Sequence, residues 1–276
     1  MNSNSLILTL LHLKGWGAKK IYSYVSSHSF DYKRCVNGLV EALNEEEKVL
    51  FKIELVNSNL TLEKNQDKGI HACNILDKEF PKKLYASTDK CVFIYYKGDI
   101  NLLSKKAISI IGTRKPDEHF INKGIIATSY FAKKGYVIIS GLALGCDSIA
   151  HRYCLDVGGK TIAVLPSPCD NVQPSSNRLL ADRIVKNGGL LISEYGTGTP
   201  ISKFNYPQRD RIQSLLSGVI LIIQASNESG TMIATRKNIK DGKLVYALKG
   251  NDITIVQRYV DVDSTDELEE IENWIF

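Results

Sequence analysis

The sequence predicts an α/β protein in which a doubly wound parallel sheet follows a small N-terminal all-helical domain. From residue 107 onward, short and almost continuous apolar runs alternate with helical stretches of roughly ten residues or more, which is βαβ spacing. Strands that are apolar on both faces belong in a parallel sheet covered by helices. Glycines also mark the junctions between runs and helices. The runs are Ile108–Ile111, Val137–Ser140, Thr161–Leu165, Leu190–Ser193, Val219–Ile223 and Leu244–Leu248.

Residues 1–68 are predicted to form the helical domain, which is SAM-like or helix-hairpin-helix-like. Apolar residues recur at helical spacing through residues 6–25, interrupted by a turn that contains two glycines and is followed by two lysines. Such a turn leaves the first amides of the next helix unpaired, which suits a phosphate group. An ordinary helix–helix turn explains the pattern equally well. The predicted secondary DNA contact consists of Gly15, Gly17, Lys19 and Lys20.

The composition is that of an ordinary globular protein. Of the 276 residues, 43% are hydrophobic and 24% are charged, which excludes disordered and low-complexity chains. No apolar run has the length of a membrane span, and Met1–Ser5 carries no basic residue ahead of the apolar stretch that follows. We therefore expect a cytoplasmic protein that does not interact with a membrane.

The six cysteines predict neither disulfides nor a metal site. They form no CxxC pair and show no metal-ligand spacing with the five histidines. Buried free thiols in a reducing cytosol are therefore expected. The cysteines are Cys35, Cys73, Cys91, Cys146, Cys154 and Cys169.

The net charge of +5 hides a division along the chain. Residues 251–276 contain one basic and eight acidic residues, net −7, whereas residues 1–250 contain 34 basic and 22 acidic residues, net +12. A body that is this basic favours a polyanion as its partner. Lysines scattered over a solvated surface are the alternative explanation.

The loops after the predicted strands contain the candidate binding residues, because such sheets bind ligands outside the carboxyl ends of their strands. Glycine recurs there and exposes backbone N–H groups, and arginine recurs and binds phosphate oxygens through its planar guanidinium. Phe204 and Tyr206 add aromatic rings on which a base can stack. The candidates are Gly112, Thr113, Arg114, Ser140, Gly141, Gly145, Arg209, Arg211, Ser229, Gly230 and Thr231.

No catalytic residue, metal or cofactor is predicted. The GxGxxG fingerprint of dinucleotide sites is absent after the first run, and no P-loop motif occurs. Asp147 and His151 stand four residues apart on one predicted helix face and are interpreted as a structural hydrogen bond. Cys146 lies at a helix start, where the pKa of a thiol can be lowered, but no base accompanies it.

Taken together, these segments resemble the DNA-processing protein A (DprA/Smf) family. Six segments follow one another in the family's order and spacing, and the match is close to continuous from residue 69 to residue 250. The resemblance implies an extended Rossmann-like fold over 69–250, preceded by the family's small helical domain. The segments are ISIIGTRKP, ISGLALGCDSIAH, GGKTIAVLPSPCDNVQPSSNRLLADRI, GGLLISEYGTGTP, FNYPQRDRIQSLLSGVILIIQAS and ESGTMIAT.

The resemblance also implies a function without catalysis. Members of the family bind single-stranded DNA, form homodimers, protect incoming strands during natural transformation and help to load a RecA-type recombinase. Transferred to this chain, the family's DNA contacts are Gly112, Thr113, Arg114, Lys203, Asn205, Tyr206, Arg209, Arg211, Ser229, Gly230 and Thr231.

The chain departs from the family pattern in two loops. Leu144 and Cys146 stand where the family has Arg and Ile, which removes one positive charge. Asp210 adds a negative charge between two arginines. We therefore expect weaker or differently tuned DNA affinity.

Residues 251–276 are predicted to be an acidic tail with one short helix, because 26 residues cannot form the winged-helix domain found in many members. Ser264 and Glu267 predict a capping box at the start of this helix. Trp274 is expected to dock the helix on the body while its acidic residues face outward. A sharper hypothesis is that the tail competes with DNA for the basic groove. The expected apolar face is Leu268, Ile271, Trp274 and Ile275.

Two other functions stay open. Nucleotide-binding or nucleotide-hydrolysing enzymes of the phosphoribohydrolase type have a related sheet, but their PGGxGTxxE motif ends in an acid, whereas residues 228–235 read ESGTMIAT. A mobile-element or defence paralogue that senses DNA is the second alternative.

Overall fold

The computed structural model describes residues 1–86, 88–240, 242–254 and 256–275, and the strands within them form one nine-stranded sheet. Helices cover both faces of this sheet. The strands are β1 (His71–Asn74), β2 (Phe93–Gly98), β3 (Ala107–Ile111), β4 (Val137–Ser140), β5 (Thr161–Val164), β6 (Leu190–Ser193), β7 (Val219–Ile222), β8 (Leu244–Leu248) and β9 (Arg258–Val260).

The α-helices of the described residues include four that precede the sheet and seven that are interleaved with its strands or follow them. No helix in this part of the chain is long and apolar enough to cross a membrane. The helices are α1 (Ser3–His12), α2 (Ala18–Ser27), α3 (Tyr32–Ala42), α4 (Glu45–Gln66), α5 (Lys83–Ala86), α6 (Glu118–Lys133), α7 (Cys146–Asp156), α8 (Arg178–Lys186), α9 (Asn205–Leu216), α10 (Gly230–Lys240) and α11 (Thr265–Glu272).

The predicted fold class is confirmed. The strand order is β1-β2-β6-β5-β4-β3-β7-β8-β9. All pairs from β6 to β9 are parallel, whereas β2 joins β6, and β1 joins β2, in antiparallel register. The six predicted runs correspond to β3–β8, and each strand begins and ends within one residue of its run.

The direction of winding reverses between β3 and β7. β4, β5 and β6 are added successively on one side of β3, whereas β7, β8 and β9 lie on the other side. The loops that leave the carboxyl ends of β3 and β7 therefore diverge and open a crevice. This topological switch point is where doubly wound sheets bind ligands.

The three outer strands, β1, β2 and β9, were not predicted from the sequence. β1 and β9 have only four and three residues, and each carries exposed residues, so neither produces an apolar run. β2 is buried over its first half only. Edge strands contact other residues on one side, and their sequences are correspondingly less apolar.

The N-terminal helices share a core with the sheet. One apolar cluster contains Leu6 of α1 and Ile21 of α2 together with Tyr95 of β2 and Ala163 of β5. α4 ends at Gln66, next to the predicted boundary at residue 68. The division of the chain into domains at that residue stays a prediction.

The acidic tail is integrated into the body, and Trp274 does not dock it. Leu268, Ile271 and Ile275 are buried in the cluster that contains Phe131 of α6, whereas Trp274 is 47% exposed. Three residues at a spacing of three and four make a narrower apolar stripe than the one predicted, and the indole lies outside that stripe. The expectation that Trp274 anchors the helix was therefore wrong.

The acidic side chains of the tail do not all face outward either, because several bind the body. Glu272 accepts hydrogen bonds from the hydroxyls of Tyr130 and Tyr136. Ser264 caps α11 as predicted by accepting from the Glu267 amide. The Glu267 carboxylate accepts from the Asp261 amide at 2.7 Å instead of completing the box.

Candidate nucleic-acid interface

A cleft of about 1300 Å³ opens at the switch point. It is lined by the loops after β3 and β7, by the first turns of α9 and α10, and by the turn between α1 and α2. Among the described residues, seven basic and three acidic side chains line it. The basic residues are Lys19, Lys20, Lys90, Arg114, Lys203, Arg209 and Arg211, and the acidic residues are Asp89, Asp147 and Asp210.

The two switch-point loops are braced against each other by hydrogen bonds. The Thr113 amide donates to the Gln224 carbonyl at 2.7 Å, and the Thr231 hydroxyl donates to the Gly112 carbonyl at 3.2 Å. A Cβ atom at Gly112 would lie 2.6 Å from the Cys146 sulfur, so only glycine fits between these elements. These bonds fix the backbone that carries the next residue, Arg114.

Arg114 presents its guanidinium to the cleft. The residue is exposed, and its side chain has no hydrogen bond or ion pair with the part of the chain that the structure describes. Its only described partner is the ring of Tyr206, whose centroid lies 5.9 Å from the guanidinium carbon. All five N–H donors of Arg114 are therefore available to a ligand.

A lysine and aromatic rings stand next to Arg114, at the start of α9. Lys203 and Tyr206 line the cleft, and Lys203 Nζ lies 5.5 Å from the centroid of the Phe204 ring. Phe204 is 73% exposed, although an aromatic ring of this size usually contributes to a core. Two accessible rings and two cations therefore occur within one short stretch of surface.

The turn between α1 and α2 forms another wall of the cleft. The four residues predicted there as a secondary DNA contact all line the same cleft as Arg114. Gly17 is the N-cap of α2 and supplies no side-chain cap, so the first amides of α2 stay free beside Lys19 and Lys20. The sequence predicted these residues separately from the sheet loops, and the fold brings the two sets together.

The start of α10 supplies backbone donors. Ser229, Gly230 and Thr231 line the cleft, and the Ser229 hydroxyl donates to the Ser226 carbonyl at 2.7 Å. The helix N-terminus places partial positive charge at the crevice. The amides and the positive end of the helix dipole favour an anionic group at this position.

Arg209 also borders the cleft, but its side chain is committed to the body. It is 7% exposed, and Nη1 donates to the carbonyls of Gly141 and Val164, the latter at 3.2 Å. Nε donates to Asp210 at 2.7 Å. The guanidinium of Arg209, which was predicted to bind phosphate, thus binds backbone carbonyls and a neighbouring carboxylate instead.

Arg211 is similarly committed to internal partners. Nη2 donates to both carboxylate oxygens of Glu194, at 2.6 and 2.7 Å, and Nη1 donates to the Asp89 carbonyl at 3.1 Å. Burial raises the pKa of Glu194, and the positive charge of Arg211 opposes that rise. This ion pair connects the loop after β6 to the first turns of α9.

The glycine loop after β4 does not offer its amides to a ligand. Asp147 occupies them, since its Oδ2 accepts from the amides of Gly141 and Ala143, each at 3.2 Å. Burial raises the pKa of Asp147, and the charge of Arg209 opposes the rise. Ser140, Gly141 and Gly145 do not line the cleft, although all were predicted as contacts.

Asn205 and His151 also have structural partners. The Asn205 side chain is buried and donates to the Pro166 carbonyl at 2.9 Å, so it too lies outside the cleft. The predicted Asp147–His151 hydrogen bond was wrong. His151 Nδ1 instead bonds the Thr161 hydroxyl at 2.7 Å, because the loop after β4 folds back and takes the Asp147 carboxylate.

The cysteines are free and buried, as predicted. Burial raises the pKa of the Cys146 thiol to about 12, with a further contribution from the negative charge of Asp147. The raised pKa agrees with the interpretation that Cys146 is not a nucleophile. Within the described ranges, no group of three or more His, Cys, Asp or Glu side chains is arranged to hold a metal ion.

The segment that precedes β2 also contributes to the cleft, and this contribution was not predicted from the sequence. Thr88, Asp89 and Lys90 line the cleft, and Lys90 Nζ lies 3.9 Å from the centroid of the Tyr22 ring. No motif marks this segment. Its position follows from the antiparallel placement of β2, which the sequence did not predict.

Among the described residues, the acidic tail contacts the body near the cleft only through its first residues, since Asn251 and Asp252 bond the loop after β7. No residue of the described part of 251–276 lines the cleft, and α11 packs on α6 at the β9 edge of the sheet. The hypothesis that the tail competes with DNA therefore has no support in this arrangement. Leu144, which stands where the family has Arg, is 46% exposed.

Comparison with known protein families identifies one matching family. Residues 71–258 match the family model for DNA recombination-mediator protein A. The DNA processing protein DprA of Bacillus subtilis (strain 168) is 32% identical over 251 residues, which cover 90% of this chain and 82% of that protein. The matched region includes β1 to β8 and ends at the first residue of β9.

Two solved structures are similar to this one. The X-ray structure of DNA processing protein A from Streptococcus pneumoniae matches with a TM-score of 0.73 and 24% identity, covering 99% of this chain and 93% of that chain. This match extends the similarity of fold to the N-terminal helices. DNA processing protein A from Helicobacter pylori, solved to explain its single-stranded DNA binding mode, matches with a TM-score of 0.59 and 31% identity, covering 73% and 88%.

Proposed function

The chain belongs to the DNA recombination-mediator protein A family, and we propose that its cleft binds single-stranded DNA without base specificity. The free guanidinium of Arg114 is the observation that carries this proposal. An unpaired arginine at a switch point, between a helix N-terminus and two lysines, matches the geometry and charge of a phosphate. The binding mode of the Helicobacter pylori relative supports the same ligand.

The DNA backbone is held by groups on both walls of the cleft. Arg114 and Lys203 bind phosphates from the sheet side, and Lys19 and Lys20 bind them from the helical side. The amides at the start of α10 add neutral donors. Because none of these groups recognises a base edge, affinity depends on salt and hardly on sequence.

Aromatic stacking explains why a single strand is preferred to a duplex. Phe204 and Tyr206 are accessible beside the phosphate-binding groups. Unpaired bases expose their faces to such rings, whereas paired bases in a duplex stack on each other. Stacking of this kind tolerates every base and contributes about 1–3 kcal/mol per base.

Arg209, Arg211 and the loop at Gly141 have a supporting role in this proposal. They hold the start of α9, and therefore Lys203 and Tyr206, in a fixed position relative to β4 and β5. Asp210 is neutralised by Arg209 and does not project free negative charge into the cleft. Leu144 replaces the family's Arg and so removes one phosphate contact, which is expected to lower the affinity for DNA.

The cleft is proposed to bind its ligand without transforming it. A hydrolase needs a base or nucleophile near its substrate. His151 is fully buried, Cys146 is buried with a raised pKa, and Asp147 is enclosed by amides and Arg209. Nucleotide hydrolysis is the alternative, and it predicts free adenine when the protein is incubated with AMP.

We further propose a cellular role in which a homodimer in the cytoplasm protects incoming strands during natural transformation and transfers them to a RecA-type recombinase. Family membership supports this role, since the family is described as mediating recombination. In a strand-exchange reaction with RecA-type recombinase and strands coated by single-strand-binding protein, addition of the chain is expected to shorten the lag. An unchanged lag would count against the recombinase as its partner.

Fluorescence anisotropy with labelled oligo-dT and with a duplex of equal length tests the binding proposal. Four lysine and arginine contacts predict a slope of about −3 in a plot of log K against log salt concentration for the single strand. The duplex is expected to bind more weakly at every salt concentration. Incubation with AMP, followed by chromatography for adenine, is run on the same preparation.

Each outcome decides between the alternatives. Single-strand preference with a salt-dependent affinity and no adenine supports the proposal. Equal affinity for duplex and single strand would contradict the proposed stacking of unpaired bases on Phe204 and Tyr206. Absence of binding at low salt, or release of adenine, overturns the proposal and favours the nucleotide-processing alternative.

A further inference from the structure

A second cavity of about 550 Å³ lies at the far end of α9 from the cleft. The first turns of α9 line the cleft, whereas Leu216, the last residue of α9, accepts a hydrogen bond at 2.6 Å from Nζ of Lys83, which lines the second cavity. Among the described residues, four lysines and one acidic residue line this cavity. They are Lys78, Lys82, Lys83, Lys105 and Glu79.

Most lysines of the second cavity have no partner in the protein. Lys78, Lys82 and Lys105 are exposed, and their side chains make no hydrogen bond or ion pair within the part of the chain that the structure describes. Lys83 is half-buried and donates to a carbonyl instead of a carboxylate. Burial lowers the pKa of Lys83, and the charge of Lys243 lowers it further. The second cavity therefore carries a net positive charge, which favours an anionic ligand.

Aromatic rings and one lysine connect the two cavities. Lys90 lines the cleft, and its Nζ lies 3.9 Å from the centroid of the Tyr22 ring and donates to the Tyr85 carbonyl at 2.7 Å. The ring centroids of Tyr22 and Tyr85 are 5.8 Å apart. The Tyr85 ring also stacks on Phe80 at a centroid distance of 6.2 Å, and Phe80 lines the second cavity. One continuous series of contacts therefore joins the cleft to the second cavity.

Phe30 adds an exposed ring to this connection. Its ring centroid lies 6.0 Å from that of Tyr22 and 5.7 Å from that of Tyr85, and the residue is 37% exposed. Its φ of 55° is in the left-handed region, which a bulky side chain rarely adopts. This conformation keeps the ring at the surface, beside the two tyrosines. We call Tyr22, Phe30 and Tyr85 the aromatic bridge.

We propose that a single strand bound in the cleft continues over the aromatic bridge into the second cavity, where Lys82 and Lys105 bind its phosphates. This inference rests on the proposed function and extends it to residues outside the cleft. Rings with cations at both ends suit an unpaired strand, because its bases stack on the rings while its phosphates bind the cations. An acidic protein segment would match the lysines of the second cavity but would leave the aromatic bridge unexplained.

The length of α9 determines how many nucleotides the extension needs. α9 has 12 residues, and a helix of this length is about 18 Å long. One strand carries a phosphate about every 3.4 Å at the spacing found in a duplex, so about five further nucleotides span this distance, and fewer if the strand is extended. Oligo-dT of about six nucleotides is therefore expected to occupy the cleft alone, whereas oligo-dT of about fifteen nucleotides reaches both cavities.

Fluorescence anisotropy with these two oligonucleotides over a salt series tests the inference. In the parent, the slope of log K against log salt concentration is expected to steepen from about −3 for the short strand to about −4 for the long one, because two lysine contacts are added. Lys82→Ala/Lys105→Ala is expected to weaken binding of the long strand about tenfold, to return its slope to about −3, and to leave binding of the short strand unchanged. Lys133→Ala/Lys186→Ala is the matched control, because both residues are exposed helical lysines outside the two cavities.

Phe30→Ala tests the aromatic bridge separately from the lysines. It is expected to weaken binding of the long strand about fivefold to tenfold without changing the salt slope, because it removes a stacking surface and no charge. Trp274→Ala is its control, since Trp274 is an aromatic residue of the tail that is 47% exposed and lies outside both cavities. Thermal unfolding of every variant is compared with that of the parent.

The outcomes separate this inference from the proposed function. If the parent binds the short strand, but Lys82→Ala/Lys105→Ala or Phe30→Ala binds the long strand as tightly as the parent does, the inference is overturned and the proposed binding in the cleft stands. Equal losses in a variant and in its control also overturn the inference. Failure of the parent to bind either strand at low salt overturns the proposed function, and this inference with it.

Discussion

The loop after β3 and the first turns of α9 both bring arginines to the same cleft, but their side chains are used differently. Arg114 is exposed and has no polar partner in the described chain. Arg209 and Arg211 are almost enclosed and bind backbone carbonyls and carboxylates. The first region is open to a ligand, and the second is the frame that holds the wall of the cleft.

This difference shows that the residue type in a loop does not determine whether that residue binds the ligand or the protein. The sequence places all three arginines at ligand-facing ends of the sheet. Which of them is free depends on where Glu194 and the carbonyls of Gly141 and Val164 lie, and these come from other strands. Substitutions in the first turns of α9 are therefore expected to lower stability, whereas substitutions in the loop after β3 are expected to weaken DNA binding.

Arg211→Ala is expected to have the largest effect on stability. It leaves Glu194, whose side chain is 23% exposed, without its cation, and breaking a largely enclosed ion pair in this way costs up to about 3–5 kcal/mol. Urea unfolding measures the loss. The control is Arg183→Ala, which breaks a half-exposed pair with Asp156 and is expected to cost about 1 kcal/mol or less. Equal losses in both variants would show that Arg211 is not a structural brace.

Gly141→Ala is expected to destabilise the same frame by about 1–3 kcal/mol. Its new Cβ would lie 1.7 Å from Arg209 Nη1 and 2.8 Å from the Asp147 carboxylate, so the guanidinium must move away from its carbonyls. Gly230→Ala is the control, because nothing lies within 4 Å of a Cβ atom there. A Gly141→Ala variant as stable as the control would contradict the packing around Arg209.

The pH dependence of stability reports on His151, which is buried near Arg209. Burial, and then the charge of Arg209, lowers the pKa of His151 from 6.5 to about 3. Below pH 6.5 the unfolded chain binds a proton that the folded chain excludes, so stability is lost as the pH falls from 6.5 towards 3. This residue alone contributes a loss of about 1.4 kcal/mol per pH unit.

His151→Asn keeps a donor near Thr161 but does not titrate, so its stability is expected to fall less steeply between pH 6 and pH 4. Urea unfolding at several pH values gives the two slopes. Parallel slopes in the parent and the variant would mean that His151 is not held neutral in the folded state.

The wall formed by the turn between α1 and α2 is expected to contribute mainly to binding, because the contact of Lys20 Nζ with the Trp16 ring, 4.1 Å from its centroid, adds about 1 kcal/mol or less to stability. The double variant Lys19→Ala/Lys20→Ala removes two proposed phosphate contacts, which lowers the salt slope by about 1.4 and the oligo-dT affinity about tenfold. The control Lys33→Ala/Arg34→Ala removes an adjacent basic pair of α3 outside the cleft. If both double variants lose affinity equally, the effect is one of net charge.

The central strands could be predicted from the sequence because they are buried on both faces. β3–β8 are continuous apolar runs, and their parallel order follows from the helices between them. β1 and β9 could not, since an edge strand keeps polar residues on its exposed side, and β2 could not, since it is buried over its first half only. The way the tail attaches to the body was not predicted for a similar reason. β9 pairs with β8 through backbone hydrogen bonds, and such bonds produce no hydrophobic pattern in the sequence.

The position of the candidate site was predictable, but the availability of its side chains was not. Glycine and arginine at strand ends indicated the crevice, and Gly112, Arg114 and Gly230 line it. The loop at Gly141 has the same residue types, yet its amides bind Asp147. That contact depends on the fold of one loop around one carboxylate, which residue spacing alone does not specify.

The salt dependence of oligo-dT binding by Arg114→Ala shows whether the free guanidinium of Arg114 binds a phosphate. Arg152→Ala is the control, because Arg152 is an exposed arginine of α7 outside the cleft. Arg114→Ala is expected to bind more weakly, with a salt slope reduced by about 0.7, while its unfolding free energy changes by less than about 0.5 kcal/mol. Arg152→Ala is expected to match the parent in both respects. An unchanged slope in Arg114→Ala would contradict the assignment of Arg114 as the free phosphate-binding arginine of the cleft.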